Sequence, residues 1–177
     1  TRAEATQRSG RAGRVAEGLC YRLWTRGEEG ALAAFPPAEI EAGDLSGLAL
    51  ELALWGARVE DMAFLTPPPD GAYAEAQALL RMLGALDRRG QITDHGRHLA
   101  TLPLHPRLGH MLATSGPEAA PLAALMAERD ILKGGGLKGG GADLSLRLRA
   151  LQQNAGAPGP EVNRAALNRV RADARRL

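Results

Sequence analysis

The run Leu83-Gly84-Ala85-Leu86-Asp87-Arg88-Arg89-Gly90-Gln91-Ile92-Thr93 leaves an apolar helical pattern, crosses a polar turn and ends in a brief extended piece. Upstream, Pro67-Pro68-Pro69 forces extended backbone, because each proline also restricts the residue before it. Asp70 can then cap a helix over 72–86, with Ala76, Leu79, Leu80 and Leu83 on its core face. Arg88-Arg89-Gly90 turns the chain, and Gln91-Ile92 is extended. Downstream, Thr93 can cap a short helix ending near Thr101. Pro103 breaks it, and Pro106 can occupy the first turn of another helix holding Leu108, Met111 and Leu112. Further upstream, Leu45, Leu48, Leu52 and Trp55 form an amphipathic helix stripe that ends near Gly56. Helix, helix, short strand, short helix is a winged-helix arrangement.

The composition agrees with helices. The 177 residues are 45% hydrophobic but only 3% aromatic, so the core must be built from Leu and Ala. That length suits one or two small domains. The single cysteine, Cys20, cannot form an internal disulfide, which fits a reducing cytosol. No apolar run approaches the roughly 18 residues of a membrane span, and the Arg-rich start is unlike a signal peptide. The expected location is cytoplasmic, with no membrane partner. Charge is unevenly spread: net +4 over residues 1–26, −8 over 27–94 and +6 over 95–177. Two basic segments flanking an acidic body suit polyanion contacts, and equally suit ordinary solvated faces.

Outside the winged-helix stretch, residues 1–14 read as a helix. Gly18 to Trp24 reads as a short strand with Cys20 buried in it. Residues 27–43 are a Gly- and Pro-containing connector. Residues 117–132 form an Ala/Leu helix with Leu122, Leu125 and Met126 inward. Asp143 can cap a helix with Leu144, Leu148 and Leu151 on one stripe. After a loop from Asn154 to Pro160, a helix from Glu161 to Leu177 turns Leu167, Val170, Ala174 and Leu177 inward.

The chemistry-bearing pattern is Gln7-Arg8-Ser9-Gly10-Arg11-Ala12-Gly13-Arg14. On a helix, Arg8, Arg11 and Arg14 share a face, and Gly10 and Ala12 let another surface approach. A row of guanidiniums is costly to bury and well suited to phosphate, which the planar fork binds bidentately. The pattern resembles the arginine-finger motif of superfamily 2 helicases in the DEAH-box form, and the rest resembles the helical tail of that family, most of all its bacterial HrpB type. The likeness is carried by the arginine pattern, Leu83 to Leu86, Thr93 to Leu99, Leu102-Pro103-Leu104 and Pro106-Arg107-Leu108.

The resemblance implies a mainly α fold in three parts. Residues 1–26 would be the last helix and strand of a second RecA-like α/β domain. Residues 27–115 would hold the connector and winged helix, and 116–177 the start of a helical-bundle (ratchet) domain. It implies that Arg11 and Arg14 are arginine fingers on the transferred phosphoryl group and that Gln7 reaches the nucleotide phosphates. Gly10 and Gly13 would allow backbone approach; Arg8 has no assigned role. ATP and Mg2+ would be used by the full-length enzyme, with a first RecA-like domain in cis and RNA as partner. The Walker loop and DEAH acids lie outside these residues, so these residues alone are expected to be inactive, to hold ATP without a tight grip and to supply no Mg2+ site.

Other candidates are weaker. Gly134-Gly135-Gly136-Leu137-Lys138-Gly139-Gly140-Gly141 is not a phosphate loop, since Lys138 is followed by Gly139 and no strand precedes it; it reads as a flexible linker. His95 and His98 can share a helix face, but ligand partners are wanting, and no metal site is expected. No Ser-His-Asp spacing stands out. The last helix carries Arg164, Arg169 and Arg171, which could meet RNA backbone or simply face solvent. A competing reading is a non-catalytic winged-helix module that binds nucleic acid or protein. Against nucleic acid, the 72–86 helix carries Glu75 and Gln77 beside Arg81, with Asp87 close by, hardly a phosphate-seeking face.

Overall fold

The computed structural model describes residues 1–133, 143–152 and 162–177. They are mainly helical and divide into two compact units, one of residues 1–43 with 65–68, the other of 44–64 with 69–177.

The first unit holds α1 (Arg2–Ala12), α2 (Arg26–Ala31) and α3 (Glu39–Ala42). The first two begin with reciprocal caps: Thr1 with Glu4, and Thr25 with Glu28. Backbone bonds from Arg2 N to Ala33 O (2.9 Å) and Ala3 N to Ala34 O (3.0 Å) fasten the start of α1. Residues 18–24 do not form the expected strand. A strand is a property of a pair, and no described residue offers this segment a ladder. Leu19, Tyr21 and Leu23 are instead more than four-fifths exposed, and Cys20 is exposed rather than buried.

The second unit runs through α4 (Ser46–Trp55), a 3-10 turn (Val59–Asp61), α5 (Asp70–Met82), α6 (Asp94–Thr101) and α7 (Pro106–Ser115). It continues through a second 3-10 turn (Pro117–Ala119), α8 (Ala120–Ala127), α9 (Leu144–Gln152) and α10 (Arg164–Arg176). The glycine tract 134–141 lies outside the described residues, as does the loop 154–160. Helix α4 packs against α5, α6 and α7, so its buried arc is wide. Leu45, Ala49, Leu50 and Leu52 are buried there, whereas Leu48 is half-buried and Trp55 is 67% exposed, contrary to the expected stripe. Helix α8 packs on α7, α9 and α10. Leu125, Ile131, Leu132, Ala166, Leu167 and Val170 form a second core cluster, with Met126 outside it, half exposed.

Helix α5 is shorter than its apolar pattern. It starts at Asp70, with Pro69 rather than Asp70 in the capping position, and stops at Met82. Gly84 turns the chain at φ +72°, letting Gly84 N reach Arg81 O and Ala85 N reach Leu80 O. The turn that follows is held by Asp87, whose Oδ1 accepts from Arg89 N and Gln91 N, both at 2.8 Å. It closes on one antiparallel bridge, Leu86 to Ile92, the rudimentary wing. Thr93 caps α6 as expected, accepting from Gly96 N at 3.0 Å, while its hydroxyl donates to Gly84 O at 2.7 Å.

This clamp leaves no room at Gly96. A Cβ there would sit 2.2 Å from the Ala85 carbonyl oxygen, a backbone atom that cannot swing away. Gly96→Ala is expected to destabilise the unit by about 1–3 kcal/mol or more despite the higher helix propensity of alanine. Urea unfolding followed by circular dichroism measures it; an unchanged midpoint would mean α6 can shift away from the wing.

Candidate arginine site and basic C-terminal helix

Helix α1 carries Gln7, Arg8 and Arg11 on exposed turns. The helix ends at Ala12, with Gly13 as its cap at φ −106°, so Arg14 lies past the helical face that the arginine spacing predicts. Two glycines in four residues weaken the helix just where Arg14 would have joined it. Arg11 and Arg14 are exposed and make no ion pair or hydrogen bond with described residues. Open space surrounds Gly10: an added Cβ would meet nothing within 4 Å. Arg8 looks into a groove of about 720 Å3 lined also by Glu4, Tyr21, Leu23 and Trp24. Only Arg8 of the three arginines faces it; Arg11 and Arg14 stand clear.

The arginines of α10 divide. Arg164 is exposed and has no partner among the described residues. Arg169 Nε donates to Glu128 Oε2 at 3.2 Å. Arg171 donates from Nε and Nη2 to Leu151 O, at 3.1 and 2.8 Å. That carbonyl ends α9, where a cation complements both the unpaired carbonyls and the helix dipole. Arg171 therefore ties α9 to α10.

Three clusters were not legible beforehand. Arg147 is buried and grips Asp130 with a fork, Nε to Oδ1 at 2.9 Å and Nη2 to Oδ2 at 2.5 Å. The fork holds the Asp130 carboxyl below its usual range, helped by the Leu132 amide. The signal was Arg147 standing on the same helical side as Leu144 and Leu151. Asp44, Ser46 and His105 also meet: Ser46 Oγ donates to Asp44 Oδ1 at 2.5 Å and lies 3.0 Å from His105 Nε2. This is not a nucleophile arrangement. His105 Nδ1 accepts from Arg107 N at 3.2 Å, so the neutral ring carries its proton on Nε2 and cannot take one from Ser46. Ser46 is also fully buried. The trio fastens the start of α4 to the cap of α7.

The third cluster is His95 on α6 with His110 on α7, joined Nε2 to Nδ1 at 2.9 Å with rings edge to face. His95 pairs across the helices rather than with His98, and no group of three or more His, Cys, Asp or Glu suited to a metal occurs among the described residues. Burial, then the charges of His110 and His98, push the His95 pKa down. Folding therefore favours the neutral ring, and the unfolded chain binds more protons below about pH 6.5. The melting temperature is expected to fall as pH drops from about 7 toward 5, and to fall less in His95→Gln. Equal pH slopes in parent and variant would remove His95 from the account.

No helix among the described residues is long and apolar enough to cross a membrane. Residues 76–104 match the helicase-associated domain (HA2), winged-helix. The chain is 36% identical over 154 residues to the human probable ATP-dependent RNA helicase DHX37, spanning 75% of this chain and 13% of that protein. It is 37% identical over 134 residues to the Escherichia coli ATP-dependent RNA helicase HrpB, spanning 72% and 16%. Against the Schizosaccharomyces pombe pre-mRNA-splicing factor ATP-dependent RNA helicase prp22 the values are 39% over 119 residues, 65% and 10%. In the crystal structure of the Escherichia coli DEAH/RHA helicase HrpB, 21% of the chain superposes on 99% of this one, with TM-score 0.75 and 30% identity. The chain thus spans between a tenth and a fifth of these curated relatives. It carries a helicase-associated (HA2) winged-helix domain, and its homologues are DEAH-box ATP-dependent RNA helicases.

Proposed function

We propose that the full-length protein is an ATP-dependent RNA helicase, and that this chain brings to it the arginine fingers and the helices that couple ATP hydrolysis to movement on RNA. One observation supports the finger assignment: Arg11 and Arg14 are exposed and charged, their side chains have no partner among the described residues, and the neighbouring Gly10 has open space around it. Unspent guanidinium forks on an open surface fit a triphosphate reached from outside this chain. ATP with Mg2+ supplies the phosphoryl group and the counter-charge for hydrolysis. Arg11 and Arg14 present donors to the equatorial oxygens where negative charge grows, Gln7 orients the phosphates, and Gly10 and Gly13 admit close backbone approach. A first RecA-like domain in cis would hold the nucleotide against residues 1–26, the end of the second such domain. In this reading the winged helix, where α4 packs on α5, α6 and α7 and α7 packs on α8, relays the domains' motion to α8, α9 and α10. RNA would lie along that bundle, where Arg164 offers a free cation and Arg169 and Arg171 are engaged within the protein. The reaction would run in the cytoplasm.

The test compares two proteins. The full-length enzyme is expected to show RNA-stimulated ATP turnover. Residues 1–177 alone are expected to show none, because backbone amides and the lysine of a phosphate loop do the gripping. Turnover by the purified short chain, surviving removal of contaminating ATPases, would defeat the division of labour.

A further inference from the structure

Within the acidic segment 27–94, the four basic residues are Arg58, Arg81, Arg88 and Arg89. Three of them line one cleft of about 380 Å3 in the winged-helix unit. Its walls come from the end of α4, the 3-10 turn at 59–61, α5 and the wing turn. Among the described residues on the wall Glu60 is the one carboxylate, and Arg58 Nε pairs with it at 3.2 Å. The Arg89 guanidinium has no partner among the described residues, and that of Arg81 makes only a long 3.4 Å contact to Gln77 Oε1. The cleft therefore concentrates two largely uncommitted guanidiniums from a sequence segment that is net acidic. Tyr73 stands half-buried on the same wall, hydrogen-bonded to Gln77, and burial raises the pKa of its hydroxyl. Gly90, at φ +81°, brings the wing turn up to the Arg81 guanidinium, 4.0 Å from where a Cβ would stand. Ala53 and the buried Leu86 supply an apolar floor.

We propose that this cleft binds a nucleotide, with its phosphate on Arg81 and Arg89 and its base laid against Tyr73; Glu75 and Asp87, the acids that counted against a phosphate-seeking face in the sequence, do not line it. A guanidinium fork meets a phosphate bidentately, and an aromatic wall accepts any base face. The volume lies in the roughly 300–1,000 Å3 range of small-ligand clefts and is too small for a helix. The site is separate in sequence from the arginines of α1, which belong to the other compact unit. The nucleotide is either free or one unit of a single strand.

Calorimetry on residues 1–177 distinguishes these sources with three probes: inorganic phosphate, adenosine monophosphate and a short oligouridylate. Binding of the monophosphate supports a free ligand; binding of the oligonucleotide with a silent monophosphate supports a strand. In either case the double variant Arg81→Gln/Arg89→Gln is expected to weaken binding about tenfold or more, since charge-assisted bonds are lost. Arg88→Gln removes the same kind of charge outside the cleft and is expected to leave affinity within about twofold. Three results would overturn the site: no binding of any probe, an unchanged double variant, or Arg88→Gln acting as strongly. Preference for an acidic peptide over the nucleotide probes would overturn it too.

Discussion

In the full-length protein, Arg11→Ala or Arg14→Ala is expected to lower ATP turnover by roughly three decades or more while changing nucleotide affinity far less. The asymmetry follows from where the charge is. A finger acts mainly on negative charge that grows on the phosphoryl oxygens in the transition state, so losing it costs rate before it costs binding. Three decades correspond to about 4 kcal/mol of barrier. Both side chains are exposed and have no partner among the described residues, so alanine removes no side-chain bond there and is expected to leave the fold in place. Lysine at either position is expected not to rescue turnover, because an ammonium lacks the planar fork. Stopped-flow nucleotide binding beside single-turnover hydrolysis separates the two steps. Parent rates in both alanine variants would make the α1 arginines an ordinary basic face.

Leu80→Ala is expected to cost about 2–5 kcal/mol, the range for emptying a large buried aliphatic position. Leu80 is 0% exposed on α5, where that helix packs against α4. Its carbonyl also accepts the Ala85 and Leu86 amides at 2.8 and 3.2 Å, so any relaxation that fills the cavity must disturb the turn into the wing. For a chain of this size the loss corresponds to a melting temperature lower by roughly 4–20 °C. Leu48→Ala, at a half-buried position, is expected to cost less, and Trp55→Ala, at an exposed one, to stay within about 0.5 kcal/mol. Thermal melts of the three variants rank them. Equal melting temperatures for Leu80→Ala and the parent would mean the winged-helix core is not where the burial pattern puts it.

Most of the winged helix was legible because its boundaries are local events. Thr93 caps the amide three residues on, Pro106 needs only a helical first turn, and Gly84 and Gly90 take positive φ where their own turns require it. The arginine spacing was read within eight residues, but α1 ends at Ala12 and leaves Arg14 off the face that the spacing predicts. Burial faces were less so. Helix α4 is apolar nearly all round, so spacing favoured Leu48 and Trp55, while three packed neighbours selected Ala49 and Leu50 instead.

Tertiary structure alone decided the rest. An apolar, aromatic run at 18–24 has strand composition, but a ladder needs a second strand that no described residue provides. Ser46 and His105 are 59 positions apart, Arg147 and Asp130 are 17 apart, and Arg171 reaches back 20 to the end of α9. Capping and turn chemistry depend on bonds a few residues long, which the chain carries wherever it goes. Those longer pairings exist only after helices have packed, because a guanidinium or imidazole takes whichever acceptor the fold leaves beside it once water is excluded.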